Sequence, residues 1–337
     1  MKVLIVTEAG KKIGFGHMMR CLSVDQAFRR QSIKPRFIVN GGQEVRKILS
    51  DKEYRLLNWL SKRKELLKEI SGADIVLVDS YLADRPLYQK MAAVVKLMVY
   101  IDDNKRLDYP QGVVINTMVY ANELAYPKRE GIDYLLGPHY AHVRREFLRI
   151  PKRPLRRSLK TILVTLGGSD FLNLTPKILE ILASRFPQMK KQVIISRFYT
   201  NDKAIKQASD ANTKITINAN GALMKKLILD ADIAITGAGQ TIIELARVGL
   251  PALCLCVADN QRRHLHKWSE YGFVGLSNPR SVTELEGAIL NTIKQFSSMR
   301  IRQNFRSQIT KIINPQGSDR IVQELIKKLS VAKKVKQ

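Results

Sequence analysis

The sequence predicts an α/β protein built from two doubly wound domains, and three observations carry that prediction. The chain has 337 residues, which is more than one ordinary domain contains. Short and nearly continuous Val, Ile and Leu runs alternate with helical patterns, as in parallel sheets that are covered on both faces. The alternation breaks at residues 150–158, where two prolines and four basic residues interrupt it.

This break divides the chain into a predicted N-terminal domain, residues 1–150, and a predicted C-terminal domain, residues 151–330, followed by a basic tail at 331–337. A new strand–glycine–helix unit starts at Thr161, and the last predicted helix, Ser318–Leu329, could cross back to the first domain. The predicted strands are Val3–Val6, Arg36–Val39, Ile75–Val78, Met98–Ile101, Val113–Ile115, Ile162–Thr165, Gln192–Ile195, Ile233–Thr236 and Ala252–Cys256. The other predicted helices are Met18–Arg30, Pro176–Ser184, Thr241–Val248 and Val282–Thr292.

The composition favours a folded, cytoplasmic protein. Apolar residues make up 45% of the chain and aromatic residues 7%, which is enough to bury a sizeable core. No apolar run approaches the roughly 20 residues that a membrane-spanning helix needs, and the first apolar run meets Glu8 too soon to be a signal peptide. Cys21, Cys254 and Cys256 lie in apolar patterns without a C-x-x-C spacing, which indicates reduced core thiols.

The formal net charge of +27 is large, and its distribution restricts the partners that we expect. The positive charge is dispersed, with denser runs at residues 144–160 and 327–336. Neither run alternates with aromatic residues, as the groove of a single-strand nucleic-acid binder does. A solvated basic surface is the simplest interpretation, and a weak contact with an anionic membrane surface comes second. We expect no nucleic-acid partner.

The loop after the first strand carries the sequence Gly14-Phe15-Gly16-His17-Met18-Met19-Arg20. It is not a dinucleotide-binding fingerprint, because Met19 stands in place of the third glycine and Asn40 in place of the acid after the second strand. Gly14 and Gly16 still allow the backbone to approach a ligand closely.

His17 is the candidate general base in this loop. It falls in the first turn of the predicted helix, and Arg20 lies on the same face, away from the apolar stripe. The helix dipole and the guanidinium both disfavour an imidazolium, and a neutral imidazole can accept a proton from water. A capping or packing histidine is the alternative.

Three loops of the second domain have the composition of an anion-binding site. Their sequences are LGGSD after Ile162–Thr165, GAGQT after Ile233–Thr236 and ADNQ after Ala252–Cys256, and each precedes a helix whose free amides can bind phosphate. A glutamate one turn into the second of these helices can accept from ribose hydroxyls. For any single loop, a tight turn beside a surface glutamate is the alternative. The candidate ligand-binding residues are Gly168, Gly237, Gly239, Gln240, Thr241, Glu244, Asn260 and Gln261.

The sequence predicts no metal site and no cofactor. Asp79-Ser80-Tyr81 and Asp102-Asp103 each follow a strand, but no further ligand lies at a suitable spacing, so a helix cap and a turn explain them more simply. The remaining histidines show no H-E-x-x-H pattern and are interpreted as surface or structural. They are His139, His142, His264 and His266.

Seven segments together resemble one protein family. They are GFGHMMRCL, VDSY, IDD with VVINTMVY, LLGPHYAHVRREF, LVTLGGSDFLNLT, ITGAGQTIIELARVGLPALCL and ADNQ, in this order. The chain is similar to the UDP-sugar hydrolases of pseudaminic acid biosynthesis and to related spore-coat polysaccharide biosynthesis proteins, which resemble the GT-B N-acetylglucosaminyltransferase of peptidoglycan synthesis. The resemblance covers about Met1 to Leu329, and GxGHxxRC with GAGQTxxE is its most specific pair.

The resemblance implies a GT-B-like fold, with two Rossmann-like domains and a cleft between them. It also implies the metal-independent hydrolysis of UDP-2,4-diacetamido-2,4,6-trideoxy-β-L-altropyranose, in which water attacks the anomeric carbon and inverts its configuration. By motif match, His17 would be the base, Tyr81 and Asn260 would lie at the sugar, Gly237–Thr241 and Glu244 would hold UDP, and Arg144 would bind phosphate.

Two alternatives to a hydrolase remain from the sequence. A glycosyltransferase of the same fold would pass the sugar to an acceptor, and a basic binding module would have no enzyme activity. The segment Thr7-Glu8-Ala9 also departs from the family, which commonly carries Arg or Asp there, close to the sugar. We expect a monomer.

Overall fold

The structure is a computed structural model that describes residues 1–10, 13–168, 170–196, 199, 201–258 and 261–334. Its strands are β1 Val3–Ala9, β2 Arg36–Gly41, β3 Tyr54–Leu56, β4 Ile75–Asp79, β5 Leu97–Ile101, β6 Gly112–Asn116, β7 Ile132–Leu136, β8 Thr161–Thr165, β9 Lys190–Ile195, β10 Thr213–Ile217, β11 Ile233–Gly237, β12 Ala252–Leu255 and β13 Val274–Leu276.

Helices alternate with these strands along the chain. The α-helices are α1 Gly16–Arg30, α2 Glu44–Ile48, α3 Arg63–Ile70, α4 Arg85–Ala92, α5 Leu174–Arg185, α6 Asp202–Gln207, α7 Gly221–Asp230, α8 Thr241–Val248, α9 Arg262–Glu270, α10 Val282–Phe296, α11 Met299–Ile309 and α12 Gly317–Lys334. Short 3₁₀ turns span Ala121–Leu124, Pro138–Tyr140 and Arg145–Phe147.

The chain divides into two compact units. Unit 1 contains residues 1–145 and 316–337, and unit 2 contains residues 146–315. The sequence places the boundary at 150/151 and assigns residues 316–330 to the second domain, so the structure differs at both ends of that division. The reason is packing, because Ile321 and Leu325 of α12 belong to the same core cluster as Val24 and Phe28 of α1.

Unit 1 is built on a parallel sheet with the strand order β3-β2-β1-β4-β5-β6-β7. Alternate residues of β1 enter two separate cores, with Val3 and Ile5 packed on the α1 side and Leu4 and Val6 on the other. Helices therefore cover both faces of the sheet, as its continuous apolar runs predict.

Unit 2 repeats this plan with a parallel sheet in the order β10-β9-β8-β11-β12-β13. Two parallel, doubly wound sheets confirm the predicted α/β class. The three cysteines are buried and unbridged, in agreement with the predicted core thiols. Within the described ranges, no helix combines the length and the apolar character that crossing a membrane requires.

The strands that the sequence did not predict are β3, β7, β10 and β13. Each of them lies at an edge of its sheet. Edge strands are covered incompletely, and most residues of these four are partly exposed. They therefore lack the continuous apolar run by which the central strands were recognised.

Candidate active site

The topology of unit 1 brings the loops after β1 and β4 together. These strands are neighbours, with Thr7 opposite Asp79, although β2 and β3 lie between them in the chain. The order of the strands reverses at this point, and in open parallel sheets ligands bind beyond the carboxyl ends of the strands at such a reversal. His17 follows β1, and Asp79 ends β4.

His17 and Asp79 form a buried pair at this point of the sheet. His17 is the second residue of α1 and is 7% exposed, while Asp79 is fully buried. The His17 Nδ1 atom lies 2.6 Å from Asp79 Oδ1. Arg20 Nη2 also lies 3.1 Å from Nδ1, but the shorter contact, to the carboxylate, favours the proton on Nδ1 and the lone pair of a neutral ring on Nε2. The sequence placed only the helix dipole and Arg20 beside His17 and missed this carboxylate.

Arg20 is buried rather than solvent-facing, which corrects the position expected from the helix pattern. Its Nε and Nη2 atoms donate to the two oxygens of Asp79 at 2.5 and 2.6 Å, and its Nη1 donates to Asp103 at 2.6 to 2.7 Å. Burial opposes the charge of Arg20, but Asp103 and Asp79 outweigh it and raise its pKa. Burial likewise opposes ionisation of Asp79, but Arg20 and His17 outweigh it and hold its pKa well below the usual range.

Tyr81 joins this network from the loop after β4. Its hydroxyl donates to Asp103, and its ring lies edge-on to the ring of His17 with the centroids 4.5 Å apart. Burial and the negative charge of Asp103 raise the pKa of Tyr81, so the phenol remains a donor at neutral pH. The side chains of His17, Arg20, Asp79, Tyr81 and Asp103 are called the histidine network below.

The loop of Tyr81 is anchored to the end of β1 by Glu8. The fully buried carboxylate accepts from the Ser80 hydroxyl at 2.6 Å and from the Tyr81 amide at 3.1 Å. The Ser80 hydroxyl in turn accepts from the amides of Leu82 and Ala83. In the segment Thr7-Glu8-Ala9, where the sequence differs from the family, Glu8 therefore binds the backbone of Tyr81, a predicted sugar-binding residue.

The interpretation of Asp79 and Asp103 as a helix cap and a turn was wrong. It describes only Asp102, which accepts from the amides of Asn104 and Arg106. What identifies the other two carboxylates is their position, since each ends or follows a strand near the point where the strand order reverses. That order could not be read from the sequence.

Gly14 and Gly16 shape the entry to α1. Gly14 has a φ of +83°, and its amide donates to the Gly10 carbonyl at 2.7 Å, so the loop folds back on the end of β1. Gly16 begins α1, and a Cβ there would meet no atom within 4 Å. The backbone before His17 is therefore open.

The predicted loops of unit 2 also come to one edge of a sheet. They follow β8, β11 and β12, which are consecutive in the sheet, and the strand order reverses between β8 and β11. A Cβ at Gly237 would lie 3.3 Å from the Leu166 carbonyl oxygen, so the first two loops approach closely. Gly168 is exposed beside them, and its carbonyl accepts from the Ser196 hydroxyl at 2.6 Å.

Gly239 and Gln261 also lie near each other. A Cβ at Gly239 would be 4.0 Å from Gln261 Nε2, while Gln261 Oε1 accepts from the Val257 amide at 3.0 Å. Asn260 lies outside the described residues. The structure thus brings Gly237, Gly239 and Gln261 to one place.

Thr241 begins α8 directly after Gln240, so the amides of that helix N-terminus face this edge of the sheet. Glu244 is only 7% exposed, which rules out the surface glutamate considered as an alternative.

Arg144 belongs to unit 1 and is half-buried, beyond the end of β7. Among the described residues, no group of three His, Cys, Asp or Glu side chains is arranged to hold a metal ion.

Comparison with curated sequences confirms the resemblance predicted from the motifs, although no protein-family model matches the chain. The chain is 28% identical over 277 residues to an uncharacterized protein of Methanocaldococcus jannaschii, covering 78% of this chain and 57% of that protein. It is 24% identical over 307 residues to the pseudaminic acid cytidylyltransferase and UDP-2,4-diacetamido-2,4,6-trideoxy-β-L-altropyranose hydrolase of Helicobacter pylori, covering 90% and 52%. The chain therefore spans little more than half the length of these two relatives.

Two further relatives are matched over most of their length. The chain is 24% identical to a spore coat polysaccharide biosynthesis protein of Bacillus subtilis, covering 81% of this chain and 82% of that protein. It is also 24% identical to the UDP-2,4-diacetamido-2,4,6-trideoxy-β-L-altropyranose hydrolase of Campylobacter jejuni, covering 77% and 93%.

Solved structures confirm the GT-B-like fold. MurG of Acinetobacter baumannii superposes with a TM-score of 0.65 at 14% identity, covering 97% of this chain and 100% of that one. The MnaA structure of S. aureus with UDP gives a TM-score of 0.65 at 12% identity, covering 98% and 97%.

Proposed function

We propose that this chain is a nucleotide-sugar hydrolase that releases UDP from a UDP-linked diacetamido-trideoxyhexose, for the synthesis of a nonulosonic acid or a related surface polysaccharide. The buried pair of His17 and Asp79 carries the proposal, because it supplies a general base with a fixed tautomer. The names of the H. pylori and C. jejuni relatives supply the substrate class.

In the proposed reaction, His17 Nε2 accepts a proton from water as the water oxygen attacks the anomeric carbon. The new carbon–oxygen bond forms as the bond between that carbon and the phosphate oxygen breaks, so UDP leaves and the configuration inverts. Asp79 stabilises the imidazolium that results, because its carboxylate already touches Nδ1. The proton then passes from His17 to solvent.

The charges of the histidine network suit this proton transfer. Arg20 carries one positive charge, and Asp79 and Asp103 carry two negative charges, so these three groups sum to one negative charge. A proton taken up by His17 brings the network to neutrality. Since the groups are buried in a medium of low dielectric, this compensation is stronger than it would be in water.

Tyr81 has a second role in the proposal, as a donor to the sugar. Burial and the negative charge of Asp103 keep its phenol protonated by raising its pKa, and its ring lies against the His17 ring. In unit 2, we assign UDP to the edge formed by the loops after β8, β11 and β12. There Gly168 and Gly237–Thr241 would face the diphosphate, Glu244 the ribose and Gln261 the sugar. The motif match further assigns sugar binding to Asn260 and phosphate binding to Arg144.

The proposed reaction uses no metal, because the amides at the N-terminus of α8 would meet the charge of the leaving diphosphate. Transfer to an acceptor is the second candidate, since the sequence also resembles a GT-B glycosyltransferase and the fold is GT-B-like. The hydrolase is preferred because the relatives named for the substrate are hydrolases.

The first experiment measures UDP release from UDP-2,4-diacetamido-2,4,6-trideoxy-β-L-altropyranose by the purified protein, with EDTA and without an acceptor. We expect release by the wild type, and release by His17→Gln that is slower by about 10²- to 10⁴-fold. His266→Gln is the matched control, since His266 is 81% exposed. Near-normal activity of His17→Gln would contradict the mechanism. A wild type that binds UDP but releases none would favour the transferase.

A further inference from the structure

His142 is a buried histidine that the proposed mechanism does not use. Its side chain is 5% exposed, and neither ring nitrogen has a hydrogen-bond partner among the residues that the structure describes. Buried polar atoms are almost always paired, because an unpaired one loses its hydration without compensation. Two unpaired nitrogens on one side chain therefore need an explanation.

His142 lies at the edge of the unit 1 sheet that also carries the histidine network. It follows the 3₁₀ turn Pro138–Tyr140 after β7, and because the sheet is parallel, the carboxyl end of β7 lies at the same edge as those of β1, β4 and β5. The residues on both sides of it, Ala141 and Val143, are buried. The charged groups that act on its ring are Arg20, Asp79 and Asp103. These are the groups that surround His17.

The imidazole of His142 is neutral at physiological pH. Burial lowers its pKa to about 4, and Arg20 adds to this effect, while Asp79 and Asp103 oppose it. A neutral imidazole offers one N–H donor and one nitrogen acceptor. A sugar hydroxyl, or the N–H and carbonyl of an acetamido group, has the matching donor and acceptor.

We propose that His142 is a substrate-binding residue that pairs with a hydroxyl or acetamido group of the sugar. The inference rests on the proposed function and adds a specificity-determining residue to it. Protein atoms cover both ring nitrogens, so the imidazole or its neighbours must turn as the sugar enters. The unpaired nitrogens are then satisfied only in the complex, and substrate binding regains the free energy that their burial costs.

His264 provides the matched control, because it is equally buried but has a partner. It is 6% exposed, and its Nε2 accepts from the Trp268 indole N–H. His264→Phe leaves that indole N–H without its acceptor and should lower Tm. His142→Phe removes two unpaired nitrogens and keeps an aromatic ring, so its Tm should equal or exceed that of the wild type.

The deciding experiment measures the Kd of UDP and of UDP-2,4-diacetamido-2,4,6-trideoxy-β-L-altropyranose by calorimetry, in a His17→Gln background in which hydrolysis is slowed by about 10²- to 10⁴-fold. We expect His142→Phe to weaken binding of the UDP-sugar by roughly ten- to a hundredfold and to leave binding of UDP unchanged. Equal affinity of both proteins for the UDP-sugar would overturn the inference.

The Tm comparison is a second test of the inference, and it needs no substrate. A fall in the Tm of His142→Phe as large as that of His264→Phe would identify His142 as a packing residue and overturn the inference. Failure of the His17→Gln protein to bind the UDP-sugar would instead count against the proposed function. In that case an undiminished Tm of His142→Phe would still support a histidine kept for a ligand.

Discussion

Replacing Asp79 by asparagine changes one atom of the buried pair and alters its chemistry in two ways. The amide nitrogen of asparagine can donate to His17 Nδ1, which would place the ring proton on Nε2 and remove the lone pair needed for water. The substitution also removes the negative charge 2.6 Å from Nδ1 and from Arg20 Nη2. Both changes act on the same step, the uptake of a proton by His17.

The size of the effect follows from the charge that is lost. Two unit charges about 4 Å apart interact by about 4 kcal/mol at an effective dielectric constant of about 20, which corresponds to about three powers of ten in rate. General base catalysis as a whole contributes about 10²- to 10⁴-fold. We therefore expect kcat of Asp79→Asn to fall by about 10³-fold while the Kd for UDP, which we assign to unit 2, is unchanged.

The assay must separate catalysis from folding, because Arg20 also loses a buried partner. Breaking a buried ion pair destabilises a protein by about 3–5 kcal/mol, so Tm should fall and rates should be compared well below it. Asp84→Asn is the matched control, since Asp84 is 45% exposed and caps α4 in the same unit. A folded Asp79→Asn protein with a kcat within a few-fold of wild type would refute the reasoning.

Three further outcomes are expected. Glu244→Gln should weaken UDP binding by roughly tenfold or more in calorimetry, because a buried acceptor for the ribose is lost, whereas the exposed Glu284→Gln should not. Gly317→Ala should lower the free energy of unfolding, measured by urea titration, by about 1–3 kcal/mol, since its Cβ would lie 2.3 Å from the Ala141 carbonyl oxygen. Gly287 lies inside α10, and a Cβ there would have no atom within 4 Å. Gly287→Ala should therefore raise the free energy of unfolding by about 0.5–1 kcal/mol, because glycine is unfavourable within a helix. Folding lowers the pKa of His142 from 6.5 to about 4. Between these pH values the unfolded chain binds a proton at His142 that the folded protein does not bind. Stability should therefore fall as the pH falls from 6.5 to 4. Protonation of His142 should lower the free energy of unfolding of the wild type by about 3 kcal/mol between pH 7 and 4. In urea titrations, the decrease over this pH range should be about 3 kcal/mol smaller for His142→Phe than for the wild type.

The sequence predicted the central strands and missed the edges for a physical reason. β1, β4 and β5 are buried along their whole length, and each contains an unbroken apolar run, Val3–Val6, Ile75–Val78 and Leu97–Ile101. β13 has only three residues, and none of them is fully buried. A pattern built on continuous burial recognises the first kind of strand and not the second.

The sequence predicted some residues of the candidate site and missed others, and the reason is again physical. His17 and the glycines of the unit 2 loops stand out because their residue types are unusual next to a strand end. Asp79 and Asp103 do not, because an aspartate after a strand is common as a cap. Their role depends on the neighbourhood of β1, β4 and β5, which only the strand order reveals.

The return of α12 to unit 1 has a consequence for how the protein is made. Residues 146–315 are synthesised as one uninterrupted stretch and contain the whole of unit 2, so this unit can fold while the ribosome is still working. Unit 1 must wait, because Ile321, Leu325 and Leu329 complete the core against α1. The helix that carries His17 and Arg20 is therefore secured only after α12, which follows unit 2 in the chain, has been translated.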